Sequence, residues 1–165
     1  MSRAGIALGS NLGDRSALLD AAVSRLRDIA ITGEPFLSAP VYQTEPRFCP
    51  PGSPDFFNTV VEFSFSGTPH ELLEKAREIE NALGRVRGAE RNAPRTIDVD
   101  LLYLGNRQFA DGELILPHPR IGERRFVLQP LADIRPDLVL PGSELTVSEM
   151  LEHLHTDEAP LVPVT

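Results

Sequence analysis

The stretch from Thr96 to Leu104 reads TIDVDLLYL, and its alternation predicts a β-strand. Side chains two residues apart on a strand point to the same face. Asp98 and Asp100 therefore project together, and the apolar residues that alternate with them face the opposite way into packing. We expect a strand with one buried face and one face that presents two carboxylates.

Apolar patterning and capping residues predict the elements that precede this strand. Strands are expected at 4–8, 36–44 and 58–65. Asp14 starts a first helix as its N-cap, and Thr68 with Glu71 forms the capping box of a second helix that ends at Gly84. The order β-α-β-β-α-β is the ferredoxin-like pattern, an antiparallel sheet with two helices on one face.

The C-terminal part predicts further helices that cover the other face of the sheet. Residues 124–132 are expected to be partly helical and broken at Pro130, and Thr146 with Glu149 forms another capping box. Residues 9–11 are expected to form a turn, and the tail after His155 to be irregular. The predicted fold is therefore α+β, with three layers in the order α/β/α.

Length and composition indicate one globular domain over residues 1–165. The chain has 165 residues, of which 41% are hydrophobic and 24% are charged. The formal net charge of −8 argues against a protein that coats nucleic acid. No apolar run is long enough for a signal peptide core or a membrane span. We expect a monomer in the cytoplasm that binds neither nucleic acid nor membrane.

Single residues exclude several kinds of site. Lys75 is the only lysine and lies in no phosphate-binding loop motif, which excludes a P-loop nucleotide site. Cys49 is the only cysteine, which excludes an intramolecular disulfide and a zinc cluster built on cysteines. Phosphate would therefore have to be bound by arginine, backbone amides or metal.

The paired aspartates and the segment before them suggest phosphate chemistry. Asp98 and Asp100 suit Mg²⁺, although a polar strand face in water would also explain them. Residues 84–95 carry four arginines in an otherwise acidic chain. Alone these arginines would be a solvated basic loop, but beside two aspartates they suggest a site sorted by charge. Arginines would hold phosphate oxygens, and the aspartates would hold the metals that bridge them.

Other candidate residues are weaker when taken singly. His118 stands between two prolines and could donate to a phosphate or contact a nucleotide, as could Arg124. Glu80 lies near the C-terminal end of the second helix, where an acid is disfavoured by the helix dipole, which suggests a partner. Phe56 and Asn58, at the start of the third strand, could line a pocket.

Together these residues resemble the 6-hydroxymethyl-7,8-dihydropterin pyrophosphokinase family of folate biosynthesis. The main resemblance is the stretch RNAPRTIDVDLL at 91–102. Supporting segments are GSNL at 9–12, YQT at 42–44, FN at 57–58, GRVR at 84–87, LPHPR at 116–120 and ERRFVL at 123–128. They occur in order along nearly the whole chain, so the resemblance is far more specific than any single motif.

The resemblance implies transfer of pyrophosphate from ATP to the hydroxymethyl oxygen of the pterin, with AMP as the other product. It implies that Asp98 and Asp100 hold two Mg²⁺ ions. The residues that it implies for the transferring group are Arg85, Arg87 and Arg95. On the nucleotide side it implies Glu80, His118 and Arg124, together with Arg87 and Arg95. For the pterin pocket it implies Thr44, Pro46, Phe56, Asn58 and Phe126, with the two phenylalanines stacking on the ring.

Two alternatives from other classes stay open at this point. The first is a glycosyl- or nucleotidyl-transferase that uses the D-x-D pair with a sugar nucleotide. The second is a non-catalytic ferredoxin-like module that binds a small ligand or another subunit. Formation of AMP that depends on both Mg²⁺ and the pterin would separate all three possibilities.

Overall fold

The fold was described from a computed structural model, which describes residues 1–11, 13–44, 55–84, 97–156 and 161–164. The strands are β1 (Ser2–Ser10), β2 (Leu37–Ser38), β3 (Tyr42–Thr44), β4 (Phe56–Phe65), β5 (Asp98–Leu104), β6 (Phe109–Ala110), β7 (Ile115–Leu116) and β8 (Val162–Pro163). The helices are α1 (Arg15–Ile29), α2 (Pro69–Gly84), α3 (Arg125–Ile134) and α4 (Val147–Glu152), and a 3₁₀ turn spans Ile121–Glu123.

The main sheet has the strand order β5-β1-β4-β3-β8, and β2 also pairs with β4. Every pairing in it is antiparallel. The neighbours β5, β1, β4 and β3 correspond to the fourth, first, third and second strands predicted from the sequence. The order 4-1-3-2 is that of a ferredoxin-like sheet. This result confirms the predicted fold class.

Two apolar clusters on opposite faces of the sheet produce the three layers. On one face, α1 and α2 contribute Leu19, Leu26, Leu72 and Ile79, which pack against strand residues such as Ile6. On the other face, α3 and α4 pack on the sheet through a second cluster that includes Ala7, Val60, Leu102, Val127, Leu128, Leu131 and Val147. The C-terminal helices therefore cover the second face, as the sequence predicts.

The predicted caps form as expected. Asp14 accepts a hydrogen bond from the backbone N–H of Ala17 at 3.1 Å and starts α1. The hydroxyl of Thr68 accepts from the N–H of Glu71 at 3.2 Å, and the Glu71 carboxylate accepts from the N–H of Thr68 at 3.3 Å. These side chains satisfy N–H groups that the first helical turn leaves without intrahelical partners.

Four details differ from the sequence predictions. The single strand predicted at 36–44 is split, because Pro40 has no N–H to donate between β2 and β3. The predicted break at Pro130 is wrong, since α3 runs through it. The tail is not wholly irregular, because β8 pairs with β3. Gly9 and Ser10 belong to β1 rather than to a turn.

Packing explains why Pro130 does not end α3. Pro130 cannot donate to the carbonyl of Phe126, which removes one helical hydrogen bond. Its neighbours Val127, Leu128 and Leu131 are, however, at most 2% exposed in the second core. Burial of an aliphatic side chain contributes about 1.5–3 kcal/mol, so three such residues outweigh the lost bond.

A buried carboxylate joins the sheet to the end of α3. Glu62 on β4 is fully buried and accepts hydrogen bonds from Arg3 at 2.8 Å and from Arg135 at 2.6 Å. The Tyr103 hydroxyl donates to the same carboxylate. Desolvation, followed by the negative charge of Glu62, raises the pKa of Tyr103 well above its ordinary range. This network lies in the second core.

Among the described residues, none of the helices combines the length and apolar character that crossing a membrane requires.

Candidate active site

A row of paired residues crosses the sheet at the level of the first aspartate. Asp98 on β5 pairs with Gly9 on β1, Gly9 pairs with Asn58 on β4, and Asn58 pairs with Tyr42 on β3. Adjacent strands lie about 4.8 Å apart, so the backbones at Asp98 and Asn58 are separated by roughly 10 Å. Between them stands Gly9, which adds no side chain to either face of the sheet.

Polar and aromatic groups border the region above Gly9. A Cβ built at Gly9 would lie 2.8 Å from Oδ1 of Asn58 and 3.9 Å from Cδ1 of Phe56. Asn58 is only 6% exposed, and its Nδ2 donates to Oγ1 of Thr44 at 2.7 Å. The structure thus brings three of the five predicted pterin residues to the edge of one space, with the Asn58 carbonyl directed toward Gly9.

Helix α3 covers the face of the sheet on which this space opens. The Tyr42 hydroxyl donates to Oδ2 of Asp133 on α3 at 2.5 Å. Burial, together with this carboxylate, raises the pKa of Tyr42 to about 12. Phe126, a fourth predicted pterin residue, lies in the first turn of α3 and packs against the second core. Phe126 therefore belongs to the same layer as the space above Gly9.

A separate cleft of about 350 Å³ lies beside the free edge of β5 and reaches the second aspartate. Asp100 and His118 both line it, with Leu73 of α2 on the apolar side. Its outer side is the turn between β6 and β7, which contributes Asp111 and Glu113. The predicted residues Asp100 and His118 thus meet in one cleft.

The two aspartates lie beside the region above Gly9 and in the edge cleft, respectively. Asp98 is partly buried and stands next to Gly9, whereas Asp100 is exposed and lines the edge cleft. The alternating residues Ile97, Val99 and Leu101 are at most 5% exposed and belong to the first core. This burial confirms the predicted alternation, and it places both carboxylates on the face that α3 partly covers.

Glu80 supports the strand that carries the aspartates. Its Oε2 accepts the backbone N–H of Val99, the residue between Asp98 and Asp100, at 3.0 Å. A carboxylate bound to this N–H fixes the backbone of the strand between the two aspartates. Glu80 therefore reaches the proposed metal residues through the backbone.

His118 has a defined hydrogen-bonding pattern. Its backbone N–H donates to the carbonyl of Leu102 at 2.7 Å, which holds it on β5. Its Nδ1 accepts the N–H of Arg120 at 3.1 Å, so the proton of the neutral ring lies on Nε2. Burial first, and then the charges of Arg124 and Arg120, lower the pKa of His118. At neutral pH it therefore offers one N–H donor.

Arg124 precedes α3 and lies close to Phe126 as well as to His118. Its guanidinium carbon is 5.5 Å from the centre of the Phe126 ring, and its charge contributes to the lowered pKa of His118. Four predicted site residues lie outside the described residues: Pro46, Arg85, Arg87 and Arg95. Their predicted roles stay predictions.

Sequence reasoning missed the residues that shape the spaces. Gly9 was expected in a turn, although a glycine inside an apolar strand signals a close approach by another group. Leu73 matches an ordinary core position in the sequence, and Asp111 gives no sign there that it pairs with His70 on α2 at 2.6 Å. That pairing joins residues 41 positions apart.

The donor set suits magnesium. No group of three or more His, Cys, Asp or Glu side chains in the described ranges could enclose a metal by itself. Mg²⁺ does not need such a cage, because it is usually bound by one or two carboxylates, several waters and substrate phosphates. Asp98 and Asp100, both on one face of β5, fit that requirement.

Comparison with known proteins gives a consistent result. The family model described as 7,8-dihydro-6-hydroxymethylpterin-pyrophosphokinase (HPPK) matches residues 5–136. A relative from Methylorubrum extorquens, named 2-amino-4-hydroxy-6-hydroxymethyldihydropteridine pyrophosphokinase, is 43% identical over 93% of this chain and 94% of its own length. A relative of the same name from Bacillus subtilis is 45% identical over 78% of this chain and 75% of its own length.

Solved structures support the fold. The crystal structure of Plasmodium falciparum HPPK-DHPS with pteroate matches 92% of this chain with a TM-score of 0.68 and 14% identity. The match covers 42% of that longer chain. The family model and the two relatives extend over most of the sequence, including the strand with the paired aspartates. The chain belongs to the 7,8-dihydro-6-hydroxymethylpterin-pyrophosphokinase family.

Proposed function

We propose that Asp98 and Asp100 form the reaction centre of a pyrophosphokinase, with the pterin bound above Gly9 and ATP in the cleft beside β5. As a member of its family, the chain is an ATP-dependent enzyme that transfers pyrophosphate to 6-hydroxymethyl-7,8-dihydropterin in folate biosynthesis. The observation that carries the proposed layout is that Asp98 pairs with Gly9, which itself pairs with Asn58, whereas Asp100 lines the cleft beside β5.

Shape and hydrogen bonding support the proposed position of the pterin. A flat heterocycle with an amide-like edge needs a partner that both donates and accepts, and the Asn58 side chain has both functions. Its position is fixed by Thr44 at 2.7 Å, so its orientation is set before the ligand binds. Phe56 and Phe126 would stack on the faces of the ring. Pro46 is proposed as a further pterin residue from the sequence.

Positive charge and the neutral ring of His118 support the proposed position of the nucleotide. His118 offers its Nε2–H to an oxygen or nitrogen of the nucleotide, and Arg124 supplies a positive charge nearby. Arg85, Arg87 and Arg95 are proposed to bind the phosphate oxygens, because arginine donates in a fixed fork and keeps its charge. Glu80 acts here through the backbone of β5.

The metal requirement follows from the carboxylates. Asp98 and Asp100 would hold two Mg²⁺ ions together with ATP. When bound, these ions would neutralise phosphate charge and lower the pKa of the pterin hydroxyl. Two carboxylates on one strand face repel one another, and bound cations would offset that repulsion.

This chain's own contribution is positioning and charge. The β5 strand is held by Glu80 and by the neighbouring strand β1, so the two aspartates have little freedom. Positioning of two reactants can supply a large part of the barrier reduction, about 7–11 kcal/mol in favourable cases. The pterin oxygen would attack the β-phosphorus of ATP in line with the departing AMP oxygen, and the arginines would stabilise the charge that spreads over the phosphate oxygens.

The test is an assay of the purified chain with ATP, Mg²⁺ and 6-hydroxymethyl-7,8-dihydropterin. AMP and the pterin diphosphate should form in equal amounts, and no AMP should form without the pterin. Pterin binding without turnover would favour the binding module, and sugar transfer from a sugar nucleotide would favour the D-x-D transferase. Family membership disfavours both alternatives.

The remaining expectations concern the chain as a whole. We propose that it is a monomer and that residues 1–165 form one domain, since its two cores share one sheet. Light scattering during size-exclusion chromatography would test the first, and a single cooperative unfolding transition would support the second.

A further inference from the structure

A single carboxylate organises the outer side of the cleft beside β5. Asp111 precedes the turn between β6 and β7, and its Oδ1 accepts the backbone N–H groups of Glu113 at 2.8 Å and Leu114 at 3.0 Å. Its own backbone N–H donates to the carbonyl of Leu114 at 3.0 Å. Three hydrogen bonds of one residue therefore fix the conformation of a turn that lines the cleft.

Two side-chain contacts hold this turn against α2. Oδ2 of Asp111 meets Nε2 of His70 at 2.6 Å, and Oε2 of Glu113 meets Nη1 of Arg77 at 3.4 Å. His70 and Arg77 are seven residues apart, which is about two helical turns, so they lie on one face of α2. Leu73 lies between them along the same helix and lines the cleft.

An aromatic contact supports the same arrangement. The His70 ring meets the Phe109 ring edge-on, with centroids 5.4 Å apart. Phe109 belongs to β6 and packs at the border of the first core. His70 therefore contacts the hairpin at its strand and at its turn, and both contacts keep the hairpin close to α2.

The Asp111 carboxylate stays ionised over a wide range of pH. The N–H of Glu113 contributes most to lowering the pKa of this carboxyl, followed by the N–H of Leu114 and by His70. A charged acceptor makes stronger hydrogen bonds than a neutral one. The turn is consequently held by charge-assisted bonds near neutral pH.

We propose that Asp111 is a positioning residue for the nucleotide: it sets the distance between the outer wall of the cleft and β5. This proposal rests on the proposed function, because it assumes that ATP occupies this cleft. Asp100 and Asp111 both line the cleft, and the contact with His70 anchors Asp111 to α2. A displaced wall would weaken contact with the nucleoside part of ATP and leave the pterin side untouched.

Three variants separate the two functions of the carboxylate. Asp111→Ala removes the two side-chain hydrogen bonds to the turn and the contact with His70. Asp111→Asn keeps an acceptor for the turn but removes the charge. His70→Phe keeps an aromatic ring beside Phe109 but removes the contact with the Asp111 carboxylate. Asp20→Ala, at an exposed position on α1, is the matched control for loss of a surface aspartate.

The measurements are the KM for ATP, the KM for the pterin, kcat and the melting temperature. Asp111→Ala should raise the KM for ATP roughly tenfold, because two charge-assisted hydrogen bonds that shape the wall are lost. Asp111→Asn and His70→Phe should each raise it roughly threefold. The KM for the pterin and kcat at saturating ATP should stay within about twofold of the wild type, as should all constants of Asp20→Ala.

Two results would overturn the proposal. One is an unchanged KM for ATP in both Asp111→Ala and His70→Phe. The other is an equal rise of both KM values with a lower melting temperature, which would indicate a general structural role. Failure of the proposed function is distinguishable, because the wild type itself would then form no AMP from ATP and the pterin.

Discussion

Gly9→Ala tests whether the space above Gly9 receives the pterin. The new Cβ would lie 2.8 Å from Oδ1 of Asn58, whereas ordinary contacts begin near 3.4 Å, so the Asn58 amide must retreat by about 0.6 Å. That amide is held by Thr44 at 2.7 Å. Weakening this bond costs about 0.5–1.5 kcal/mol, which corresponds to an approximately tenfold weaker affinity at the upper end.

The assay is a calorimetric titration of the pterin into the protein with Mg²⁺ and α,β-methylene-ATP present. The carbon bridge of this analogue prevents pyrophosphate transfer. We expect an approximately tenfold higher Kd for the pterin in Gly9→Ala, and a loss of stability of no more than about 1.5 kcal/mol.

Gly5→Ala is the matched control on the same strand and the same sheet face. A Cβ at Gly5 would collide with the ring of Tyr103, which is only 2% exposed. This variant should therefore lose stability, but its folded fraction should bind the pterin normally. Unchanged pterin affinity in Gly9→Ala, or an equal loss of pterin affinity in Gly5→Ala, would refute the proposed position of the pterin.

Three further predictions concern stability. Glu62→Gln should lower the free energy of unfolding by about 2–4 kcal/mol and the melting temperature by about 5–10 °C, because two arginines that are 28% and 33% exposed lose a charged acceptor; a calorimetric shift below about 2 °C would contradict this. Burial, followed by the charges of Arg124 and Arg120, lowers the pKa of His118 in the folded protein. The neutral His118 side chain therefore contributes fully to stability above its unfolded pKa of 6.5, and this contribution is lost as the pH falls through the lower pKa of the folded state. In denaturant titrations, the free energy of unfolding should therefore fall less steeply toward acid pH in His118→Gln than in the wild type. The same dependence on pH in both proteins would contradict this prediction. Thr146→Ala removes the cap of α4 and should cost about 1 kcal/mol in the same titrations, and an unchanged midpoint would speak against it.

Much of the architecture could be predicted because its signals are local. The period-two alternation around Asp98 separates carboxylates from core residues, and capping pairs such as Thr68 with Glu71 mark helix starts. These signals depend on neighbours in the chain. They were sufficient for the order of elements and hence for the ferredoxin-like sheet.

The errors arose where distant packing overrides local preference. Pro130 would end an isolated helix, but its neighbours in α3 are buried in the second core. The tail pairs with β3 only because the sheet leaves that edge available, which a local pattern does not encode. Likewise, Gly9 shows its importance only when Asn58 is placed beside it.

The sequence predicted the chemical groups of the candidate site better than the residues that line its cleft. The carboxylates, Asn58 and His118 have residue types that indicate their chemistry. The outer wall of the cleft depends on the pairing of His70 with Asp111, and neither residue is distinctive in the sequence. Such walls are formed by tertiary contacts between elements.

The most direct measurement is the rate of AMP formation by Asp98→Ala and Asp100→Ala with saturating ATP, Mg²⁺ and pterin. Both variants should fold with a melting temperature close to that of the wild type, because Asp98 and Asp100 lie outside the two cores. AMP formation should be abolished in Asp98→Ala and Asp100→Ala but retained in Asp20→Ala. AMP formation near the wild-type rate by either of the first two variants would contradict it.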